Sequence, residues 1–200
     1  AVAKALTGLL AMSPDSSTVF KAPATETKHA AWTGPMSLTQ IKAAGAALDA
    51  KVNDVLLAVA AGALRRYLTS QRQPVNDVGV RAAVPFNVRP LERAHELGNS
   101  FGLVFLLLPV SVHGTRQRVE ELKRRMLAIK GSAEPMVTYG ILQSIGRAPK
   151  WAHRMVVNMF SEKASAVMTN VPGPQEPLHI FRAPIETLMF WVPQAGDIGL

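Results

Sequence analysis

From Phe101 to Val110 the chain reads Phe-Gly-Leu-Val-Phe-Leu-Leu-Leu-Pro-Val, the most apolar run in its 200 residues. The run is about half the ~20 residues a membrane-spanning helix needs. Gly102 and Pro109 bound it, which disfavours a helix. It therefore predicts a strand over 101–112 that is apolar on both faces and covered on both sides. With the elements read below, the order helix–helix–strand–strand–helix–helix–helix–strands makes the expected fold class a layered α/β body with a mixed sheet and flanking helices.

Gly98-Asn99-Ser100-Phe101-Gly102, just ahead of that run, spells G-x-S-x-G. A nucleophile elbow has a strand before its serine and a helix after it. Here Arg93-Ala94-His95-Glu96 precedes and a β-type run follows, so the order is wrong for an elbow. The better reading is a turn into a central strand. Gly98 and Gly102 permit the turn backbone, and Asn99 and Ser100 hydrogen-bond to it.

Elsewhere the chain supplies the helices. Residues 1–31 read as a short helix and a linker, with loop chemistry at Ser13-Pro14-Asp15-Ser16-Ser17 and Lys21-Ala22-Pro23-Ala24-Thr25. Trp32 to Pro35 suggests a short strand. Ser37 caps a helix over 38–48. A second helix runs from Asn53 to about Leu68. It is apolar nearly all round as far as Arg65-Arg66, the mark of a buried core helix. Val78 to Val84 reads as a strand ended by Pro85. Thr115 to Lys130 is amphipathic, with Val119, Leu122, Met126 and Ile129 on one stripe and Gly131 as its stop. Two more helices are expected over 134–145 and 149–160, and strands over 164–170, 178–181, 185–192 and from Asp197 onward. Nothing after Leu200 reads as a turn, so the natural chain is expected to continue, and 32–200 is taken as a domain cut at its end.

Composition excludes several classes. Without cysteine there is no disulfide framework and no thiolate metal site. His29, His95, His113, His153 and His179 are never spaced i, i+3 or i+4, so no helical metal pair is signalled, and no phosphate-cradling Gly motif occurs. The net charge of +8 is concentrated between Gly114 and Arg154. There Arg116, Arg118, Lys123, Arg124, Arg125, Lys130, Arg147, Lys150 and Arg154 face only Glu120, Glu121 and Glu134. Such a band either meets phosphate or is a solvated face. No aromatic interleaves with the basic helix and no nucleic-acid module is recognisable, so nucleic acid is not an expected partner.

Among candidate site residues, Asn53 suits a helix N-cap, and Asp54 in the first turn complements the helix dipole. An amide and a carboxylate at a buried helix start could also serve a reaction centre, by donating to an oxyanion or orienting a histidine. Arg81, in an otherwise apolar strand, needs a carboxylate partner, and Asp54 is the candidate. Thr169-Asn170-Val171-Pro172-Gly173-Pro174 is a strand end and turn, with Thr169, Asn170 and Gly173 as site-shaping residues or a plain hairpin connection.

Five segments together resemble the bacterial wax ester synthase/acyl-CoA:diacylglycerol acyltransferase family. They are Val52-Asn53-Asp54-Val55-Leu56-Leu57-Ala58, Arg81-Ala82-Ala83-Val84-Pro85-Phe86-Asn87-Val88-Arg89, Leu97-Gly98-Asn99-Ser100-Phe101-Gly102, Thr169-Asn170-Val171-Pro172-Gly173-Pro174 and Gly196-Asp197-Ile198-Gly199-Leu200. Each is weak alone; five in order are specific. The resemblance implies the CoA-dependent acyltransferase (chloramphenicol acetyltransferase-like) fold, two similar α/β domains around a tunnel, of which this chain matches the C-terminal one. It implies transfer of a fatty acyl group from acyl-CoA, a substrate and not a bound cofactor, to diacylglycerol or a long-chain alcohol.

In that family the general base is the second histidine of H-H-x-x-x-D-G in the N-terminal domain. This chain has no His-His pair, so the base is expected from a segment or chain outside it. The resemblance implies Asn53 and Asp54 near the tunnel centre as supporting catalytic residues, Asn53 to polarise the acyl carbonyl or hold the acceptor and Asp54 to pair with Arg81 and fix the helix start. The resemblance implies a cytoplasmic protein, peripheral at the inner membrane face or on lipid inclusions, with the basic band meeting CoA phosphates or an anionic membrane surface. A catalytically inactive lipid-surface or interaction module, and a condensation-type domain, are the alternatives.

Overall fold

The computed structural model describes residues 1–21, 27, 29–93, 96, 98–171, 173–174, 176–191, 198 and 200. Six helices and five strands are found among them: α1 (Val2–Ala11), α2 (Leu38–Ala47), α3 (Val52–Ser70), β1 (Val80–Asn87), β2 (Phe101–Leu108), α4 (Thr115–Lys130), α5 (Glu134–Ile145), α6 (Lys150–Glu162), β3 (Ala166–Val167), β4 (His179–Ile180) and β5 (Ala183–Pro184). The main sheet has the order β2-β1-β3, with β1 antiparallel to β2 and parallel to β3.

The sheet alternates as the two-residue period of a strand demands. Even-numbered Val80, Ala82, Leu106 and Leu108 pack with Ala58, Ala61 and Leu68 of α3 and Val119, Leu122 and Met126 of α4. Odd-numbered Ala83 and Phe105 pack on the opposite face with Leu9 of α1 and Phe160 of α6. The Phe105 and Phe160 rings meet edge to face at 5.6 Å. The apolar run is thus covered on both sides, as its composition predicts, with Leu107 alone leaning out.

The outer edge of β2 is closed by side chains instead of another strand. The Leu103 N–H donates to Thr138 Oγ1 at 2.9 Å, and that hydroxyl returns a bond to the Leu103 carbonyl at 2.8 Å. The Phe105 N–H donates to Glu134 Oε1 at 2.8 Å, and Arg125 Nη1 donates to the Leu107 carbonyl. An unpaired edge is a template for association; here α4 and α5 occupy it.

Several expectations change. The strand expected to end at Pro85 runs through it. The Arg81 and Ala83 carbonyls accept from Ser165 and Met168 on the β3 side, while Val88 donates to Ser100 on the β2 side. Odd residues of β1 therefore point away from β2, and the missing N–H of Pro85 falls beyond the reach of β3, where no ladder bond is lost. Residues 32–35 form no strand, and the strand expected over 164–170 shrinks to Ala166–Val167. That over 178–181 becomes β4, paired only with β5. Residues 185–191 carry no strand beyond Pro184, and Val192, Gly196, Asp197 and Gly199 lie outside the described residues. Leu200 does lie alongside β3, accepting from Val167 and donating to Ser165. Gly131 ends α4 as expected but with φ −82, a right-handed conformation that needs no glycine.

The N-terminal stretch contains a helix, as read, and is docked on the body. Leu9 and Phe20 are buried in its two apolar clusters. Lys21 Nζ donates to the Ser161 and Ala164 carbonyls, and Lys163 Nζ to the Met12 carbonyl at 2.6 Å. Asp15, also buried, accepts from the Arg81 N–H at 2.8 Å and the Ser165 hydroxyl at 2.6 Å.

Candidate functional site

The first turn of α3 is the centre of the site. Lys51 is its N-cap, and Asp54, three residues into the turn, accepts the Lys51 N–H at 2.9 Å. A carboxylate there satisfies a donor the helix leaves orphaned and sits favourably in its dipole. Asn53 is thus not the cap: it is the second helical residue, exposed, and its side chain is available for other contacts. Asp54 does not pair with Arg81 either. The Arg81 guanidinium lies 3.7 Å from Asp15 and donates to the Ser13 carbonyl at 3.0 Å. Asp15 sits in a stretch whose Ser, Pro and Asp look like solvent-facing loop, so the sequence does not point to it as the partner of Arg81.

Asn53 meets Asn170. The Asn170 amide donates to Asn53 Oδ1 at 2.5 Å, joining the start of α3 to the segment after β3. The two line a cleft of about 460 Å³ together with Thr169. Its remaining wall is mainly apolar: Leu56, Leu57 and Ala60 of α3, Val84, Met126 and Met168 among others. This explains why α3 looks apolar all round. One face, Val55, Ala58, Ala61 and Leu68, is buried in the core; Leu56, Leu57 and Ala60 face the cleft, and Val59 is exposed. A wholly buried helix was the expectation; the excess of apolar residues was instead the signal of the cleft lining. An apolar cavity with few convergent polar groups is the usual form of a small-molecule site.

The other predicted residues lie elsewhere. Asp54 and Lys51 line a second cavity, of about 480 Å³, on α3's first turn, with Lys123 and Lys130. Gly98, Asn99 and Ser100 line a third, about 330 Å³, with Asn87 and Arg89. Arg89 Nη2 donates to the Gly98 carbonyl at 2.6 Å and to Ser100 Oγ at 3.3 Å, so Ser100 is engaged by a guanidinium, with no histidine partner among the described residues. Gly98 has φ +108, which disfavours any side chain. Gly102 is needed for space: a Cβ there would overlap the Pro135 carbonyl and lie 2.7 Å from Thr138 Oγ1. Gly173 borders open space, while Leu97, His95 and Pro172 lie outside the described residues.

Much of the basic band is already partnered. Arg118 is buried and donates to the Val112 and His113 carbonyls at 3.0 Å. Burial holds its pKa below the usual value, with Arg65 and Arg66 adding to the effect. It crosses α3 where Gly62 leaves room. Arg124 and Arg125 both donate to Glu121, and Lys123 donates to Asp49 at 2.5 Å. The Arg124 and Arg125 bonds lower the Glu121 pKa to about 2. Arg116, Lys130, Arg147, Lys150 and Arg154 remain exposed. Among the described residues no group of His, Asp or Glu could hold a metal ion, and no helix is long and apolar enough to cross a membrane.

Comparison with known proteins follows this geometry. The family model described as the WS/DGAT C-terminal domain matches residues 97–200. A probable diacylglycerol O-acyltransferase of Mycobacterium tuberculosis is 33% identical over 147 residues, covering 72% of this chain and 32% of the relative. Wax ester synthase/diacylglycerol acyltransferase 2 of Arabidopsis thaliana is 28% identical over 190 residues, covering 82% and 40%. The solved wax ester synthase/diacylglycerol acyltransferase of Marinobacter aquaeolei VT8 superposes with a TM-score of 0.50 at 28% identity, covering 75% of this chain and 33% of that one. The chain spans about a third of the length of the first of these relatives.

Proposed function

The chain belongs to the wax ester synthase/diacylglycerol acyltransferase family, whose C-terminal domain and CoA-dependent acyltransferase fold it carries, and from that premise we propose that the cleft at Asn53 and Asn170 takes part in fatty acyl transfer from acyl-CoA to the hydroxyl of diacylglycerol or a long-chain alcohol. The observation that carries this reading is the pair of bonded asparagines set in a mainly apolar cleft large enough for an acyl chain.

In the proposed reaction the base is a histidine outside this chain, from an H-H-x-x-x-D-G segment. It takes the proton of the acceptor hydroxyl as the oxygen attacks the thioester carbonyl. The new C–O bond forms, the carbonyl oxygen carries the negative charge, and the C–S bond then breaks as the CoA sulfur receives the proton. Asn170 occupies Asn53 Oδ1, which leaves the Asn53 Nδ2 donors for the developing oxyanion. Asp54 acts at one remove, by fixing the turn that carries Asn53. No acyl-serine forms, and Ser100 has no chemical role.

Residues 1–31 serve as the connection from the rest of the protein, anchored on the body that begins at residue 32 by Leu9, Asp15 and Phe20. The working site is peripheral to a membrane or lipid inclusion, where both acceptors reside. The test is an assay of the intact protein with labelled acyl-CoA and both acceptor classes. Labelled triacylglycerol or wax ester is expected; labelled free fatty acid alone, in the presence of acceptor, would contradict the reading.

A further inference from the structure

We propose that the second cavity on the first turn of α3 binds the phosphate-bearing head of the acyl donor, an inference that rests on the acyl-CoA reading above. Lys51 at the N-cap of α3 and Lys123 and Lys130 of α4 line this cavity of about 480 Å³. Lys123 and Lys130 are seven residues apart, two turns along one helix face. Three ammonium groups drawn from two elements suit a ligand with several negative charges.

Two acids share the cavity, and their states differ. Asp54 is buried and committed to the Lys51 N–H. Asp49 has a side chain 97% exposed and, among the described residues, is held only by Lys123. An exposed ion pair of this kind contributes little stability, so a phosphate can displace Asp49 from Lys123 at small cost. Asp49 is then a resident counter-ion, not a barrier.

Position gives the site its meaning. The buried Met126 side chain walls both this cavity and the apolar cleft. Lys51 and Asn53 stand two residues apart on the same turn, one in each cavity. A molecule with a polyanionic head and an apolar tail would lay its head on the lysines and its tail against Leu56, Leu57 and Met168, with its thioester beside Asn53 between them.

The test titrates the intact protein with CoA, with pantetheine (which lacks the phosphates) and with a long-chain acyl-CoA at low ionic strength. Lys123→Gln should weaken CoA binding about three- to fivefold and the triple Lys51→Gln, Lys123→Gln, Lys130→Gln variant by tens of fold, an effect that fades with added salt. Pantetheine binding should not change. Asp49→Asn should tighten CoA binding about twofold, and Asn accepts the φ of 47 found there. Opposite signs at the two ends of one ion pair are the diagnostic result, since a merely structural pair would lose stability from either end and leave CoA affinity unmoved. Unchanged CoA affinity in the triple variant would overturn the site while the acyl-CoA reading stood. A wild-type protein that binds no CoA ester would overturn both.

Discussion

Asn170 donates its side-chain amide to Asn53 Oδ1 across 117 positions of sequence. This bond occupies the Asn53 oxygen, and among the described residues no hydrogen bond takes up its NH2 group, which leaves that end as the donor for a ligand. Asn170→Ala should therefore lower turnover about tenfold with KM nearly unchanged, through a less well oriented Asn53. The Asn53→Ala and Asn170→Ala effects should fall short of additive in the double variant, as expected for residues acting as one unit. Steady-state kinetics of the three variants measures this.

Arg81 and Asp15 make a separate prediction. Asp15 is buried: its Oδ2 accepts the Arg81 N–H and the Ser165 hydroxyl, while its Oδ1 lies 3.7 Å from the Arg81 guanidinium and accepts no hydrogen bond among the described residues. Asp15→Ala should cost about 3 kcal/mol, the range for removing one partner of a buried pair. Asp54→Ala removes a helix-start acceptor and should cost about 1 kcal/mol. Denaturant unfolding that ranked the cost of Asp54→Ala above that of Asp15→Ala would contradict this ordering.

The G-x-S-x-G stretch sorts by residue. Gly102→Ala places a methyl against the Pro135 carbonyl and should cost about 3 kcal/mol, at the upper end for overpacking a tight site. Gly98→Ala forces a Cβ into positive φ and should cost about 1–2 kcal/mol. Ser100→Ala should stay within about 1 kcal/mol and leave acyl transfer intact. Thermal melts and a turnover assay on the three variants separate these outcomes.

Two carboxylates predict opposite pH behaviour. Arg124 and Arg125 depress Glu121 from 4.5 to about 2, so its contribution is present above the unfolded value and lost as pH falls from 4.5 toward 2. Glu134 is raised instead, by burial, with the Phe105 N–H bond opposing. The folded protein therefore holds the Glu134 proton more tightly than the unfolded chain, and the wild type loses stability as pH rises above 4.5 through the raised folded value. Glu134→Gln keeps an acceptor for Phe105 and carries no charge. It should be more stable than wild type at pH 7, with the gap closing below about 4.5. Glu121→Gln should be less stable at pH 7, with its gap closing at acid pH. Urea midpoints across the pH range test both signs.

What was legible in the sequence was local. Ser37 accepts from the Gln40 N–H as a cap should, and the stripe of Val119, Leu122 and Met126 places α4 with its observed bounds. The apolar run gives a strand covered twice. What was not legible depends on partners far along the chain. Asp15 lies 66 residues from Arg81, in a stretch whose Pro, Ser and Asp read as loop, so nearby Asp54 took its place. Pro85 looks like a strand end until the direction of its nitrogen is known. For the candidate site, Asn53, Thr169 and Asn170 came from matching segments, and the fold brings them together. Met126 and Met168 were read as ordinary core or strand residues, since a helix stripe does not reveal that one of its members also walls a cleft. The edge-closing roles of Thr138 and Glu134 leave no periodic trace, because each acts through one hydrogen-bonding group.

In the proposed reaction Asn53 stabilises charge that develops only during transfer. The most direct test of that role is the kcat of Asn53→Ala in the intact protein, with circular dichroism to establish an unchanged fold. A fall of about 100-fold in kcat at nearly constant KM for acyl-CoA is predicted, the scale of losing one oxyanion donor. A kcat within about twofold of wild type would contradict it.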